Sequence, residues 1–556
     1  MDGSDEWGAR RLSYWGRVAM VAALVVAWAS VRAIDPRLEG DDDGAPHAFS
    51  VRRALAQVRA IAQSPRPLGT PAHAAAREHL VSRLRALGLE ADVEEETVVD
   101  PLGKGGVLVA RVRNVVGRRA GRGAGRLTLA SHYDSQPQTP GAGDAASGVA
   151  TILESLRALG TQWRPVPDLE VVFTDGEELG LMGARAHVAS RPPRHPDVLL
   201  NFEARGQRGP VAMFETSAGN LDLLRLFAAG VPRPFASSLS YEVYRRMPND
   251  TDFTVFREAG VEGLNFAFIS GHAAYHSRLD VPGRLSPATL QQEGVNALAL
   301  MGALGAGVDV DSGHGGGDAV FFNPWGTSFL LYPASWAWPL CVAIVVATGA
   351  LWVLLGLRMG MRRRAALAAS GLWVASIAAA VVVGWLFERG LRVVPGLLRS
   401  PYGEPYDFRA FVAVLALLVG AAVAGLWAAR GRAMAASEVL AGSLLFWAVL
   451  LVLLTWAVPG ASYLAAWPIG FLGLGTVVAS LLPGRPVVGV AVLAVAAWAG
   501  LAVWAPVCDL VFQALGFGAS ACSRRPWHLP GASRFPSGPS SAGGVGFPRR
   551  FSRSSP

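Results

Sequence analysis

The chain has 556 residues, of which 51% are hydrophobic and only 17% charged. Soluble domains carry about 25% charged residues, so this composition excludes an ordinary soluble protein and implies one soluble domain joined to membrane-spanning segments. The net charge of +8 comes almost entirely from Arg, since Lys104 is the only lysine. No basic stripe with interleaved aromatics accompanies it, which argues against nucleic acid as a partner. Arg residues cluster between apolar runs instead, as membrane topology requires. Cys341, Cys508 and Cys522 all lie in the C-terminal half, leaving the soluble part without a disulfide framework or a thiolate metal site.

Residues 1–11 are polar, and 12–30 are apolar apart from Arg17. At ~1.5 Å per residue such a run just crosses a hydrocarbon core of ~30 Å. Residues 1–34 are expected to form an uncleaved signal anchor. The competing reading, a cleaved signal peptide, is disfavoured by the length of the apolar run and by the lack of a clean A-x-A site. Either reading places the next domain on the non-cytoplasmic side.

From residue 46 to 310 the composition becomes that of a globular protein. Helical spacing covers 49–62 and 71–87. Strands follow at 90–99 and 107–116, a hairpin-like pair around the glycine-rich turn at 103–106. Further strands are expected at 127–130, 168–174, 198–202 and 263–268, with helices at 149–159, 179–190, 221–229 and 287–304. This alternation predicts an α/β fold, a mostly parallel mixed sheet with helices on both faces. At ~260 residues the segment can bury a single core.

Long apolar runs lie near 335–357, 365–387, 410–429, 438–458, 462–482 and 487–506. Residues 330–508 are therefore expected to form a multi-pass α-helical membrane region of about six helices. Arg358 with Arg362, Arg363 and Arg364, then Arg430 with Arg432, then Arg485 fall in alternate loops, which the positive-inside rule assigns to the cytoplasm. The soluble domain then lies on the periplasmic, extracellular or luminal side. Arg389, Arg392 and Arg399, in the loop 388–409, count against this orientation. The segment 519–556, rich in Ser, Gly, Pro and Arg, is expected to be disordered.

The chemistry gathers where strands end. His132 and Asp134 follow the strand 127–130, two residues apart and so on one side of it. Asp144 sits in a Gly-rich loop just ahead of a helix. An imidazole and two carboxylates at the carboxyl edge of a sheet can hold a divalent metal, although a single strand-end His also serves as a structural residue. Thr174-Asp175-Gly176-Glu177-Glu178-Leu179-Gly180 follows a strand and opens a helix. Adjacent glutamates point in different directions, so one can bind a metal while its neighbour acts as a general base. The bland alternative is a solvated helix N-terminus, where the dipole favours acids.

Glu203 ends an apolar strand, and a carboxylate buried there needs a partner. His276 follows the strand 263–268, with His272 ranked second because it follows Gly271 in what reads as a looser turn. Asp250, with Asn249 and Asp252, either lines a substrate pocket or caps a helix beginning at 253. Arg205 meets either a substrate carboxylate or a core acid.

The joint pattern is H-x-D, a loop Asp, E-E, a strand-end Glu and a late Tyr-His, in that order. It resembles the co-catalytic zinc aminopeptidases, peptidase family twenty-eight of the metallo class, where aminopeptidase Y and glutamate carboxypeptidase belong. The matching motifs are His132-Tyr133-Asp134-Ser135, Gly143-Asp144 with Ala146-Ser147-Gly148, Glu177-Glu178-Leu179-Gly180, and Tyr275-His276. Pro248-Asn249-Asp250-Thr251-Asp252-Phe253, with Tyr275-His276-Ser277 and Asp280, is most similar to the membrane-bound endoplasmic-reticulum metallopeptidase branch. That branch also joins an N-terminal span and a luminal catalytic domain to a multi-pass region. The resemblance covers residues 48–308; beyond them only the architecture matches.

The resemblance implies two zinc ions per chain, bridged by Asp144, with His132 and Glu203 completing one site and Glu178 and His276 the other. It makes Glu177 the general base and Asp134 the carboxylate that orients His132. Many relatives have Asp where Glu203 stands, whereas the membrane branch has Glu. The implied activity is that of a membrane-anchored zinc aminopeptidase cleaving N-terminal peptide bonds through a water shared by two metals. Asp250, Tyr275 and Arg205 would face the peptide, and lipid is the second partner. The alternatives are a glutaminyl-cyclase-like enzyme with one zinc, disfavoured by five intact ligands, and a non-catalytic binding domain, which would have broken ones.

Overall fold

The computed structural model describes residues 3–40, 45–102, 106–193, 196–247, 249–307, 317–394, 408–482 and 486–515. The expected tail from 519 lies outside the described residues, as do Lys104, Pro248, Arg399, Arg485 and Cys522. Helix α1 (Gly3–Ala33) covers the expected N-terminal anchor. Helix α2 (Val51–Ile61) is capped by Ser50, whose side chain accepts from Arg53 N, and buries Val51, Ala54, Val58 and Ile61 at helical spacing. Helix α3 (Pro71–Ala86) starts with Thr70 as cap and Pro71 in its first turn, a residue pair suited to helix entry.

Strands β1 (Glu90–Leu102) and β2 (Gly106–Arg119) form the expected hairpin. Strand β3 (Arg126–His132) is buried along its whole length. Helix α4 (Gly148–Leu159), strand β4 (Asp168–Thr174), helix α5 (Met182–Ser190) and strand β5 (Asp197–Ala204) follow. Helix α5 begins three residues later than the periodicity suggests. Glu177–Leu179 is instead a separate 3-10 turn between Gly176 and Gly180, both at positive φ.

Beyond β5 come β6 (Ala212–Thr216), α6 (Leu221–Gly230), α7 (Ser238–Tyr244), α8 (Asp252–Glu258), β7 (Glu262–Phe268) and α9 (Pro287–Gly305). The sheet order is β1-β2-β4-β3-β5-β7-β6. The four central strands, β4, β3, β5 and β7, are parallel, and the flanking pairs are antiparallel. Strands β3 and β5 are buried on both faces, as a parallel core requires. The carboxyl ends of the central strands therefore share one edge.

A second hairpin, β8 (Ala319–Trp325) and β9 (Ser328–Pro333), leads into the helical region. That region comprises α10 (Ala337–Met359), α11 (Arg363–Arg392), α12 (Phe408–Arg430), α13 (Ala436–Ala457), α14 (Tyr463–Ser480) and α15 (Pro486–Leu515). All six carry stretches long and apolar enough to cross a membrane, matching the six runs of the sequence. Helix α11 approaches α13 closely at Gly442, where a Cβ would lie 2.5 Å from that of Ala369. Helix α10 starts beside the α/β domain, so Arg358 in its last turn lies at the far end. There Arg362 Nε bonds Glu438 Oε1 at 2.6 Å, tying the turn after α10 to the start of α13. At the near end Arg392 pairs with Glu388, and Arg389 lies over the Trp385 ring.

The two regions dock directly. Phe322 of β8 stacks on Tyr463 of α14 with ring centroids 4.3 Å apart. Ser237 Oγ bonds the Tyr463 hydroxyl at 2.8 Å, and Ser238 Oγ donates to Gly460 O at 2.6 Å. Helix α1 runs beside α15, where Trp498 Nε1 donates to Ala19 O.

Candidate metal centre

His132 is the last residue of β3, and strand alternation sets the neighbours of its motif. Tyr133 points away, its hydroxyl donating to Arg113 O at 2.7 Å and its ring stacking on His73. Asp134 returns to the His132 side, with Oδ1 3.3 Å from His132 Nδ1. The same carboxylate accepts from Glu177 N at 3.3 Å and from Glu178 N at 3.2 Å. Asp134 thus holds both the imidazole and the two-glutamate turn.

Asp144 hangs in the loop before α4, and its peptide bond to Ala145 is cis. Two backbone donors fix that loop to one acid: Gly143 N and Asp144 N donate to Asp280 Oδ1 and Oδ2 at 2.7 and 3.1 Å. Gly148 starts α4 where a Cβ would lie 2.6 Å from Ser131 Oγ and 2.7 Å from Phe202 O, so only glycine fits. Arg66 is fully buried beneath the loop. Its Nε donates to Tyr133 O at 2.6 Å, Nη2 donates to Gly141 O at 3.0 Å, and Nη1 to Pro140 O.

Around Asp144 the ligand-type groups divide in two. His132 Nε2 lies 3.0 Å from Asp144 Oδ1 and 3.5 Å from Glu203 Oε2. His276 Nε2 lies 3.2 Å from Asp144 Oδ2 and 3.1 Å from Glu178 Oε2. His132, Asp144 and Glu203 form one group, and Asp144, Glu178 and His276 the other; within each, the ligand atoms all lie within 4.8 Å. His276 reaches the site from a backbone at φ 50, in the left-handed region that a non-glycine residue occupies only under constraint.

The electrostatics are those of a pocket with too much negative charge. Burial pushes the Glu177 carboxyl well above its ordinary range; His132 opposes the rise while Glu203, Glu178 and Asp252 add to it. Burial likewise raises Glu203 to about 8. Burial pulls His276 down, but Glu178 and Asp144 outweigh it and lift the imidazole to about 10. Among the described residues, Asp134, Asp144, Glu177, Glu178 and Glu203 face two imidazoles, and the buried Arg66 guanidinium beneath the loop is a third cationic group close to Asp134, Asp144 and Glu178. Even with both imidazoles and the guanidinium charged, the five ionised carboxylates would leave two uncompensated negative charges in a buried space, which is costly. Glu178 Oε1 is buried and accepts no hydrogen bond among the described residues. Two divalent cations would neutralise the set, and two His with three carboxylates are a donor set suited to zinc. The residues fit the metals that the motif implies.

An arrangement that sequence reasoning missed supports Glu203. Asn201 lies two residues earlier on the same face of β5 and donates from Nδ2 to Glu203 Oε1 at 3.2 Å. It also donates to Asn265 Oδ1, its register partner on β7, at 3.0 Å. Asn265 Nδ2 in turn donates to Glu215 Oε2 and Thr251 Oγ1, both at 2.9 Å. The available signal was an asparagine in the middle of each of two apolar strands. Arg66 and Asp280 carry no comparable periodic signal for their roles; what they bind is loop backbone.

The remaining candidates sit around this centre. His272 is buried outside both ligand groups, and burial together with Arg205 lowers it to about 4. Asp250 is exposed two residues before α8. The cap position of α8 is Thr251, and Asp252 is its first residue, fully buried and accepting from Thr174 Oγ1. Tyr275 stacks on His276 with centroids 3.8 Å apart. Arg205 lies 5.8 Å from the Tyr275 ring centroid and donates from Nη1 to Ala514 O at 3.0 Å.

A family model described as Peptidase family M28 matches residues 114–301, a range that contains every ligand-type residue above. Among curated proteins, the chain is 32% identical over 202 residues to a putative endoplasmic reticulum metallopeptidase 1-A of Caenorhabditis elegans, covering 35% of this chain and 23% of that protein. It is 28% identical over 308 residues to endoplasmic reticulum metallopeptidase 1 of Homo sapiens, covering 52% and 34%. It is 27% identical over 360 residues to a vacuolar membrane protease of Yarrowia lipolytica, covering 59% and 36%. The chain thus spans about a third or less of the length of these relatives. Among solved structures, an aminopeptidase from Aneurinibacillus sp. strain AM-1 covers 46% of this chain and 94% of its own, at 14% identity and TM-score 0.39. A glutaminyl cyclase of Porphyromonas gingivalis covers 46% and 99%, at 20% identity and TM-score 0.37.

Proposed function

Given that residues 114–301 form a domain of peptidase family M28, we propose that this chain is a membrane-anchored aminopeptidase holding two zinc ions. The observation that carries this reading is Asp144, whose two oxygens face two separate pairs of ligand-type groups. His132 and Glu203 would hold one ion, Glu178 and His276 the other, with Asp144 shared. Zinc held there would supply a Lewis acid for the scissile carbonyl and lower the pKa of the attacking water.

The chain's own residues do the rest. Glu177 carries no ligand assignment and sits beside Glu178 on a turn clamped by Asp134. Its carboxylate takes the proton of the attacking water and returns it to the leaving amine. Asp134 keeps His132 oriented, and the Asn201–Asn265 pair does the same for Glu203. Tyr275 and Asp250 would meet the peptide.

The α/β domain lies on the non-cytoplasmic side in this reading. Arg358, Arg363, Arg364 and Arg430 occupy helix ends away from it, the arrangement that the positive-inside rule favours. The test is hydrolysis of aminoacyl amides by purified full-length chain, with and without a zinc chelator. Loss of turnover on chelation and recovery with zinc is the expected result. Turnover that survives complete removal of metal would refute the proposal.

A further inference from the structure

Helix α15 is longer than a membrane crossing needs. Its 30 residues extend about 45 Å, against a hydrocarbon core of about 30 Å. By Val503 the helix already packs with Val320 and Phe322 of β8, so its last turns run alongside the α/β domain. Asp509 and Gln513 bond each other within those turns, downstream of Pro506. Its last described turn lies at the metal centre's rim, where Arg205 Nη1 donates to Ala514 O.

A cation near the C-terminal turns of a helix is favoured by the dipole. Arg205 supplies that cation from the segment directly after β5, two residues beyond Glu203. Its guanidinium also faces the Tyr275 ring, and Tyr275 stacks on His276. One side chain therefore joins the last described turn of a membrane helix to the turn that carries a ligand-type histidine.

We infer that the last turns of α15 are a fixed wall of the substrate site, and that Arg205 is a positioning residue that locks the Tyr275–His276 segment against them. This rests on the aminopeptidase reading and adds to it a role for the membrane region. The spans do more than anchor the domain, because one of them shapes the mouth through which a peptide N-terminus enters. Arg205 is thereby engaged with the protein's own backbone.

The experiment compares full-length wild type with Arg205→Ala, Arg205→Lys, Leu510→Pro and the Arg205→Ala/Leu510→Pro double variant. Proline at 510 removes a backbone donor and disrupts the last turns. Three readouts are taken: zinc content, hydrogen–deuterium exchange over 271–279, and KM and kcat on an aminoacyl amide. All variants should keep wild-type zinc. Arg205→Ala and Leu510→Pro should each speed exchange over 271–279 and raise KM roughly tenfold, with a smaller change in kcat. Lysine should recover most of the loss, and the double variant should add nothing further. Unchanged exchange in both single variants overturns the inference. So does a raised KM in Arg205→Ala alone, which would make Arg205 a substrate contact. A wild type that binds zinc but turns over no amide fails the aminopeptidase reading instead, and exchange still decides the wall.

Discussion

The α/β domain and the helical region bury opposite things. In the domain, the parallel strands and the helices against them hide their apolar side chains, and β3 and β5 are buried along their whole length. In the helical region the largest apolar residues point outward: Leu357 is 79% exposed, Leu417 74% and Trp456 74%. Its interior mixes small residues with large ones: Ala366, Ala441 and Ala465 are fully buried beside Leu444, Leu451 and Ile469. Apolar groups avoid water in both, but only in the second is the outer solvent lipid. Charge divides the same way. The domain buries whole clusters of ionisable groups, whereas ionisable residues of the six spans sit in their first or last two turns, as Arg358, Glu388, Glu438 and Asp509 do. Both ligand-type groups lie in the domain, and among the described residues the Arg205–Ala514 bond links the helical region to their surroundings.

That division is broken or sharpened by substitution. The largest effect is expected at Glu177, which belongs to the buried charge of the domain and not to the ligand set. Glu177→Gln keeps the size and removes the base, so kcat should fall by ~10²–10⁴ while bound zinc, measured by plasma emission, is unchanged. Next is the amide pair behind Glu203. Asn201→Leu or Asn265→Leu should weaken metal binding at one of the two sites by roughly 10- to 100-fold, leaving the other as it was. Competition with a graded series of chelators reads this directly, and uniform loss at both sites would contradict the assignment.

A third test uses pH. Glu170, buried on β4, is bonded by His187, Arg126 and Arg118, which outweigh the cost of burial and hold its carboxyl down at about 2. A folded pKa below the unfolded one contributes stability that is complete above the unfolded value and lost as pH falls through the folded value. The domain should therefore lose up to about 3 kcal/mol between pH ~4.5 and ~2, and Glu170→Gln should flatten that decline. His187 shifts the other way: Glu170 and Glu94 raise it despite burial, so its share is complete below pH ~6.5 and lost as pH rises through its folded value. Chemical denaturation followed by domain-selective probes checks both limbs.

The smallest effect concerns the junction. Tyr463→Phe keeps the stack on Phe322 and removes the bond to Ser237, at an expected ~1 kcal/mol. A separate, earlier melting step of the domain in this variant would show that the junction couples the two regions.

Most of the candidate site could be read from sequence because several of its ligand-type residues sit at or just after strand ends. His132, Glu203 and the Glu177–Glu178 turn each follow an apolar run, and periodicity locates those runs well. The six spans were equally legible, since length and hydropathy alone define them. Other features left no such trace. β6, α7 and the β8–β9 hairpin are short, and their amphipathic pattern is set by what they pack on. Arg66 and Asp280 act on backbone carbonyl and amide groups that no side-chain pattern announces. Arg205 illustrates the limit: its partner, Ala514, lies 309 positions away and offers only a carbonyl oxygen.

The central claim is the shared carboxylate, and metal stoichiometry tests it most directly. Zinc per chain would be measured on purified full-length protein for wild type, Glu203→Gln and Asp144→Asn after equilibration with a fixed free zinc concentration. About two ions in wild type, about one in Glu203→Gln and close to none in Asp144→Asn is the expected series. A single ion in wild type that survives Glu203→Gln unchanged would contradict the two-metal centre.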